Sequence, residues 1–93
     1  MTIDNDIDVE KLFADAKEGD PAAQFTLAER FRSRASIDLD EKQAFTWYQR
    51  AARSGHVEAQ YRLAKCYSSG RGVQSDQDVA LTWYIAAAEQ HHA

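Results

Sequence analysis

The apolar residues of this chain recur at helical spacing, and their arrangement repeats after 36 residues. Residues 20–55 align without a gap on residues 56–91, and 12 of the 36 aligned positions hold the same amino acid. Most of the matched positions are apolar and lie three or four residues apart, the spacing that places side chains on one helix face. A fixed period of this length is typical of stacked helical hairpins. The pattern therefore predicts an all-α array without strands.

Helix start and stop signals predict five helices. Asp20 and Pro21 favour a helix start, because aspartate accepts a hydrogen bond from a free amide and proline loses none at the first helical position. Asp40 and Gln43 resemble a capping box, and Gly19 suits a left-handed helix end. Four of the helices are predicted at about residues 8–19, 21–34, 41–53 and 77–91. The remaining helix is predicted to begin at His56-Val57 and to end in the segment 68–72.

The repeat also predicts the domain organisation. Residues 1–7 carry no periodic apolar face and are expected to form a flexible tail. Residues 8–93 are expected to form a single array. Within it, a capping helix covers residues 8–19, repeat 1 covers residues 20–55 and repeat 2 covers residues 56–93.

The alternation of small and large residues predicts how the helices pack. Ala51-Ala52 and Ala87-Ala88 allow two helix backbones to approach closely, and the neighbouring tryptophans and tyrosines fill the space beside them. These repeated residues are therefore expected between the hairpins, and recognition is left to the side chains outside. The predicted core residues are Leu27, Phe31, Trp47, Tyr48, Leu63, Tyr67, Trp83 and Tyr84.

Repeat 2 also carries a specific motif. Its residues fit the pattern A-x-x-x-L-x-x-x-Y-x-x-G-x-G-V-x-x-D-x-x-x-A-x-x-W-Y-x-x-A-A at Ala59, Leu63, Tyr67, Gly70, Gly72, Val73, Asp76, Ala80, Trp83, Tyr84, Ala87 and Ala88. In this the chain resembles the Sel-one-like repeat (SLR) proteins, relatives of the tetratricopeptide repeat proteins. The resemblance implies a right-handed α-α superhelix, a solenoid of two SLR helix pairs preceded by the capping helix.

Repeat 1 departs from this motif at its turn. Arg34 and Ser36 stand where repeat 2 has Gly70 and Gly72. Because glycine adopts positive φ angles that other residues resist, the turn near residue 35 is expected to follow a different path.

The resemblance implies a class of activity. Proteins with SLR units generally act as adaptors or scaffolds that bind other proteins, and they are generally not enzymes. The alternative is an inhibitor or immunity-type protein that covers a partner enzyme, for which a small acidic chain suits a basic target. A third alternative is self-assembly through the exposed ends of the array. A short SLR chain of this kind also suits a bacterium.

Length and charge exclude several other classes. The 93 residues have room for one domain, and the net charge of −4 opposes binding to nucleic acid or anionic membranes. No apolar stretch is long enough to span a bilayer, and the acidic start lacks the basic and then apolar pattern of a secretory signal. The expected location is therefore the cytoplasm, and the single cysteine, Cys66, fits a reducing compartment.

No residue pattern predicts catalysis, a metal site or a cofactor site. His91 and His92 are adjacent and point about 100° apart on a helix, so the pair lacks the spacing of metal ligands. His56 and Cys66 have no partner residues nearby in sequence, and Cys66 is expected to be a packed thiol. The Gly70-Arg71-Gly72 segment follows a helix rather than a strand and lacks the lysine of a phosphate-binding loop.

Two surfaces are candidates for binding another protein. The end face consists of Leu81 and Ile85, with Ala88 beside them, and repeat 1 has the polar Gln49 at the position of Ile85. A different protein or a second copy of this chain, forming a homodimer, is its expected occupant. The alternatives are that the end of the chain covers this face, or that isolated exposed aliphatic residues have no binding role. The inner face consists of charged residues that point away from the core, with ordinary solvated charges as the alternative: Glu29, Arg32, Arg62 and Lys65.

Arg30, Arg32 and Arg34 form a basic cluster in this acidic chain. The cluster suits either an acidic segment of a partner or an RNA phosphate. RNA is disfavoured, because the aromatic residues that would stack on bases are assigned to the core. Alternatively, the arginines pair with neighbouring carboxylates at Asp38, Asp40 and Glu41.

Overall fold

Five α-helices follow one another along the chain. The computed structural model describes the backbone of residues 2–33 and 38–91 and the side chains of residues 9–33 and 40–90. The helices are α1 (Thr2–Lys17), α2 (Pro21–Ser33), α3 (Asp38–Arg53), α4 (Val57–Ser69) and α5 (Gln77–His91). Each helix packs against the next one in the chain, and no strand occurs within the described residues. The predicted all-α class is therefore confirmed.

Two helix starts differ from the prediction. α1 begins at Thr2 rather than Asp8, so the helix includes most of the segment for which a flexible tail is predicted. α3 begins at Asp38, so Asp40 lies inside this helix and the predicted capping box with Gln43 is wrong. Both starts are rich in aspartate, which stabilises the first turn of a helix through the helix dipole.

The starts of α2, α4 and α5 are capped by polar side chains. Asp20 accepts a hydrogen bond from the amide of Ala22, at 3.1 Å. The equivalent residue of repeat 2 is His56, whose Nδ1 accepts from the amide of Ala59, also at 3.1 Å. Asp76 caps α5 by accepting from the two amides at its start, those of residues 78 and 79. These caps satisfy amides that have no partner within the helix.

The turn after α4 depends on its glycines. Gly70 has φ +77° and ends α4 in the left-handed conformation, where its amide donates to the carbonyl of Cys66. Gly72 has φ +73°, and a Cβ there would overlap the backbone carbonyl of Glu41 on α3. The equivalent turn of repeat 1, with Arg34 and Ser36, lies outside the described residues, so the prediction of a different path there stays a prediction.

The core lies along the middle helices and thins out toward the end of the chain. Leu27, Trp47, Tyr48 and Leu63 are all at most 6% exposed. Three further predicted core residues, Phe31, Tyr67 and Trp83, are partly buried and pack against that core. Tyr84 is half-buried. The small residues predicted beside the aromatics are buried in α3, at Ala51 and Ala52.

A buried glutamine joins each hairpin to the helix before it. Gln24 of α2 donates through Nε2 to the carbonyl of Ala16, at 3.0 Å. At the equivalent position, Gln60 of α4 donates to the carbonyl of Ala52, at 3.2 Å. Gln60 also accepts a hydrogen bond from Gln90 at 3.1 Å. The glutamine that recurs in both repeats therefore connects successive helix pairs through a hydrogen bond.

Candidate functional site

The inner face is organised around one carboxylate. Glu29 on α2 accepts a hydrogen bond from Arg32 Nη2 at 2.8 Å, one turn further along the same helix. Its Oε2 atom accepts from Arg62 Nε of α4 at 3.0 Å and from the hydroxyl of Tyr48 of α3 at 3.0 Å. Arg32 Nε in turn donates to the Tyr48 hydroxyl at 3.1 Å. We call these four residues the inner-face network; they tie three helices together.

The inner-face network places charge on a partly buried surface. Burial by itself raises the pKa of Glu29, but the hydrogen bonds from Arg32 and Tyr48 and the charge of Arg62 outweigh it, and the pKa lies below its usual value. Burial, followed by the charge of Glu29, raises the pKa of Tyr48. The hydrogen bond to Glu29 raises the pKa of Arg32 despite some burial. Glu29 is therefore ionised and Tyr48 is a neutral donor near pH 7.

A cavity of about 280 Å³ opens beside the network, and we call it the inner cavity. Among the described residues its lining contains four cationic side chains and no carboxylate, and Glu41 lines a smaller adjoining cavity. The hydroxyl of Ser69 in the lining donates to the carbonyl of Lys65, at 2.8 Å. Lining residues are Arg32, Tyr48, Arg62, Lys65, Cys66, Ser69 and Arg71. The inner cavity is therefore positively charged, although the chain as a whole carries a net charge of −4.

The structure brings the four predicted inner-face residues together. Glu29 bonds directly to Arg32 and Arg62, and Lys65 lines the same cavity as these two arginines. The Lys65 ammonium also lies 5.5 Å from the centroid of the Tyr61 ring. Whether these residues bind a protein stays a prediction.

The predicted end-face residues lie apart from this group. Leu81 and Ile85 of α5 are 58% and 48% exposed, and neither lines the inner cavity. Ala88, on the same helix, is exposed as well. The end face is therefore a separate apolar surface.

Sequence reasoning missed two parts of the inner face. It assigned Tyr48 to the core, and the residue is indeed 1% exposed, but its hydroxyl reaches the network. Arg71 was considered only for a phosphate loop, whereas it lines the inner cavity. The role of Tyr48 could have been suspected from the sequence, because Glu29 and Arg32 share one helix face. A carboxylate so close to the core needs hydrogen-bond donors.

The other sequence candidates have structural roles or lie outside the described residues. Cys66 is confirmed as a packed thiol, being 8% exposed, and burial raises its pKa to about 11. His56 caps α4 and stacks on Phe25, with the ring centroids 4.7 Å apart. The Arg34 end of the basic cluster and the side chain of Asp38 are not described.

The described part of the chain contains neither a metal-binding cluster nor a candidate membrane span. Within the described ranges, no group of three His, Cys, Asp or Glu side chains is placed to hold a metal ion. None of the helices described has both the length and the apolarity that a bilayer crossing requires.

Comparisons with known proteins agree on the repeat. The family model of the Sel1 repeat matches residues 21–56 and 57–92. A solved Sel1 repeat protein from Oxalobacter formigenes is 38% identical, with a TM-score of 0.82 over 88% of this chain. The solved c5321, a protective antigen of uropathogenic Escherichia coli strains with an SLR fold, is 36% identical, with a TM-score of 0.78 over 87% of this chain. A search of curated proteins gives no match.

These likenesses confirm the helical-repeat solenoid. The chain spans 62% of the Oxalobacter protein and 17% of c5321. The two relatives are therefore longer than the array described here.

Proposed function

Because the chain belongs to the Sel1 repeat family, whose repeats generally mediate contacts between proteins, we propose that it is a small adaptor or scaffold that binds another protein through its inner face. Sel1 repeat proteins are generally scaffolds rather than enzymes, and we extend this to the present chain. The single observation that carries the choice of surface is the inner-face network around Glu29.

The network supports the proposal because it holds charged side chains in place before a partner arrives. Arg32 and Arg62 would otherwise lose considerable side-chain freedom on binding. Here Glu29 fixes both guanidinium groups, and Tyr48, anchored in the core, fixes Glu29. A surface that is ordered in advance loses less entropy when a partner docks.

The end face is the second surface on which we expect contact. Leu81 and Ile85 are large apolar residues, and both are about half exposed or more, at 58% and 48%. Exposed apolar groups close together favour contact with another protein or with a second copy of this chain. We keep this as the alternative surface for the same class of function.

The experiment is affinity capture from the native host lysate with wild type, Lys65→Glu and Ile85→Glu, followed by reconstitution with the purified partner. Neither substitution touches the core, so both variants are expected to fold, and circular dichroism checks this. If the partner forms a defined complex with wild type and with Ile85→Glu, and if Lys65→Glu weakens its binding, the result supports the inner face as the binding surface.

The other outcomes are equally decisive. A partner lost only with Ile85→Glu assigns binding to the end face instead. Sedimentation of the chain alone tests the homodimer, since Ile85→Glu would convert a dimer to a monomer. If no complex can be reconstituted from wild type, the proposed function is wrong.

A further inference from the structure

We propose that the inner cavity binds an acidic segment of the partner protein, with Lys65 and Arg71 contacting its carboxylates. The inference rests on the proposed protein-binding function and names the chemistry of the partner. It follows from the charges around the cavity, from their existing partners and from the size of the site.

The charges around the cavity do not balance. Four cationic residues line it, and Glu29 is the carboxylate that pairs with two of them. Bringing like charges together is unfavourable unless an anion accompanies them. In a chain with a net charge of −4, this concentration of positive charge is local and specific. An acidic ligand would complete it.

Glu29 satisfies only one side of the cavity. Its two oxygens hold Arg32 and Arg62, whereas Lys65 and Arg71 form no ion pair with any carboxylate among the described residues. Lys65 on α4 is exposed, and so is Arg71 in the turn that follows α4. Glu41 lines a smaller adjoining cavity together with Arg71 but forms no ion pair with it, so these two cations remain available to an incoming carboxylate.

The turn that carries Arg71 is held in position. Gly72 packs so closely on α3 that a Cβ there would overlap the carbonyl of Glu41. The amide of Arg71 itself donates to the carbonyl of Cys66, at 3.0 Å. The backbone of Arg71 is thus held beside the cavity, and its exposed side chain forms part of the cavity lining.

Size and overall charge favour a protein segment over a nucleic acid. A cavity of about 280 Å³ takes a few side chains rather than a long backbone. At physiological salt, electrostatic interactions are screened beyond about 8 Å. A short acidic segment would therefore be attracted mainly by the cations of the cavity. A longer polyanion would run on over a chain with a net charge of −4.

The test uses fluorescence anisotropy with a short labelled peptide of alternating glutamate and alanine, and matched peptides in which glutamine or lysine replaces glutamate. The binding variant is the double charge reversal Lys65→Glu/Arg71→Glu. The matched control is Lys42→Glu/Arg53→Glu, which changes the net charge equally at two exposed residues that do not line the inner cavity. Thermal melts confirm that both variants fold.

We expect the glutamate peptide to bind wild type and the control alike, and to bind the binding variant about tenfold or more weakly, a change of about 1.4 kcal/mol. Added salt should weaken the binding of wild type. The proposal is overturned if both double variants weaken binding equally, if the glutamine peptide binds as well, or if a single-stranded RNA of similar charge binds more tightly through the same residues.

Failure of the acidic-segment proposal can be distinguished from failure of the proposed adaptor function. If the glutamate peptide does not bind but a reconstituted partner still depends on Lys65, the inner face binds a partner of other chemistry. If no partner complex forms at all, the adaptor function itself is wrong, whatever the peptide does.

Discussion

The Trp-Tyr pairs of α3 and α5 are identical in sequence and differ in their surroundings. Trp47 and Tyr48 are 6% and 1% exposed, because α3 packs against a helix on each side, α2 and α4. Trp83 and Tyr84 are only partly buried, because α5 packs against α4 and no later helix follows it within the described residues. The burial of a repeated residue is therefore decided by its neighbours in the array, as in other solenoids.

The inner face shows the reverse situation, in which equivalent positions carry different residues. Glu29 of repeat 1 is replaced by Lys65 in repeat 2, 36 residues later. Glu29 accepts from the hydroxyl of Tyr48, whereas Lys65 lies over the ring of Tyr61. The shared positions thus build the scaffold, and the positions that differ give the surface its charge.

The largest expected effect compares Trp47→Ala with Trp83→Ala. Trp47 packs edge-on against Phe13, with the ring centroids 5.8 Å apart, so its removal leaves a cavity and is expected to cost about 3–5 kcal/mol. Trp83 already contacts solvent, and its removal is expected to cost about half as much. Urea unfolding followed by far-ultraviolet circular dichroism measures both.

Each tryptophan variant serves as the control of the other, since both lose the same side chain at equivalent positions. Equal losses of stability would contradict the comparison. That result would mean that α5 is covered in solution, as a homodimer through Leu81 and Ile85 would cover it.

The next effect compares Tyr48→Phe with Tyr84→Phe. The Tyr48 hydroxyl donates to Glu29 and accepts from Arg32, so losing it is expected to cost about 1–2 kcal/mol. Tyr84 packs on Tyr61, with ring centroids 5.6 Å apart, and its hydroxyl has no bonded partner within the described ranges. Tyr84→Phe is expected to change stability by less than about 0.5 kcal/mol.

Chemical unfolding of the two tyrosine variants in the same buffer checks this difference. A cost for Tyr84→Phe as large as that for Tyr48→Phe would contradict it. A silent Tyr48→Phe would show that the network does not contribute to stability.

The repeat itself could be predicted from sequence because packing residues recur wherever the same packing recurs. Asp20 and Pro21 mark the start of α2, and the structure places the starts of α2 and α5 as predicted. The early starts of α1 and α3 were missed because aspartates in a first turn resemble a polar linker. Local sequence signals therefore located the five helices but misplaced the starts of α1 and α3.

The site could be predicted only in part. Glu29, Arg32, Arg62 and Lys65 follow from helix geometry, because charged residues that point away from the apolar arc must lie on the outside. Their mutual bonds, and the arrival of Arg71 at the same cavity, depend on how α2, α4 and a glycine turn meet. Such contacts between distant segments carry no local pattern.

A smaller effect compares Gln60→Ala with Gln24→Ala. Gln60 donates to the carbonyl of Ala52 and accepts from Gln90, whereas Gln24 donates to Ala16 and its Oε1 atom has no partner within the described part of the chain. We expect Gln60→Ala to cost about 0.5–1 kcal/mol more than Gln24→Ala.

Thermal or urea unfolding of both glutamine variants provides the measurement. Gln90→Ala is the control, because it removes the extra bond alone and should account for most of the difference. If Gln24→Ala were the more costly change, the unpartnered Oε1 atom would not be a weakness of repeat 1.

The smallest expected effect is a difference in pH dependence between a substitution at Glu29 and one at the equivalent residue, Lys65. The folded pKa of Glu29 is lowered, so its stabilisation is present above the unfolded value of about 4.3 and is lost as the pH falls through the folded value. The stability advantage of wild type over Glu29→Gln, expected to be below about 1 kcal/mol because the residue is partly exposed, should therefore shrink between about pH 5 and 3. Lys65→Gln is the matched variant at the equivalent position, and the stability difference between wild type and Lys65→Gln is expected to change less over that range, because Lys65 forms no ion pair among the described residues. Urea unfolding at a series of pH values tests both, and an advantage of Glu29 that stays constant down to pH 3 would show that its ionised form does not stabilise the inner face.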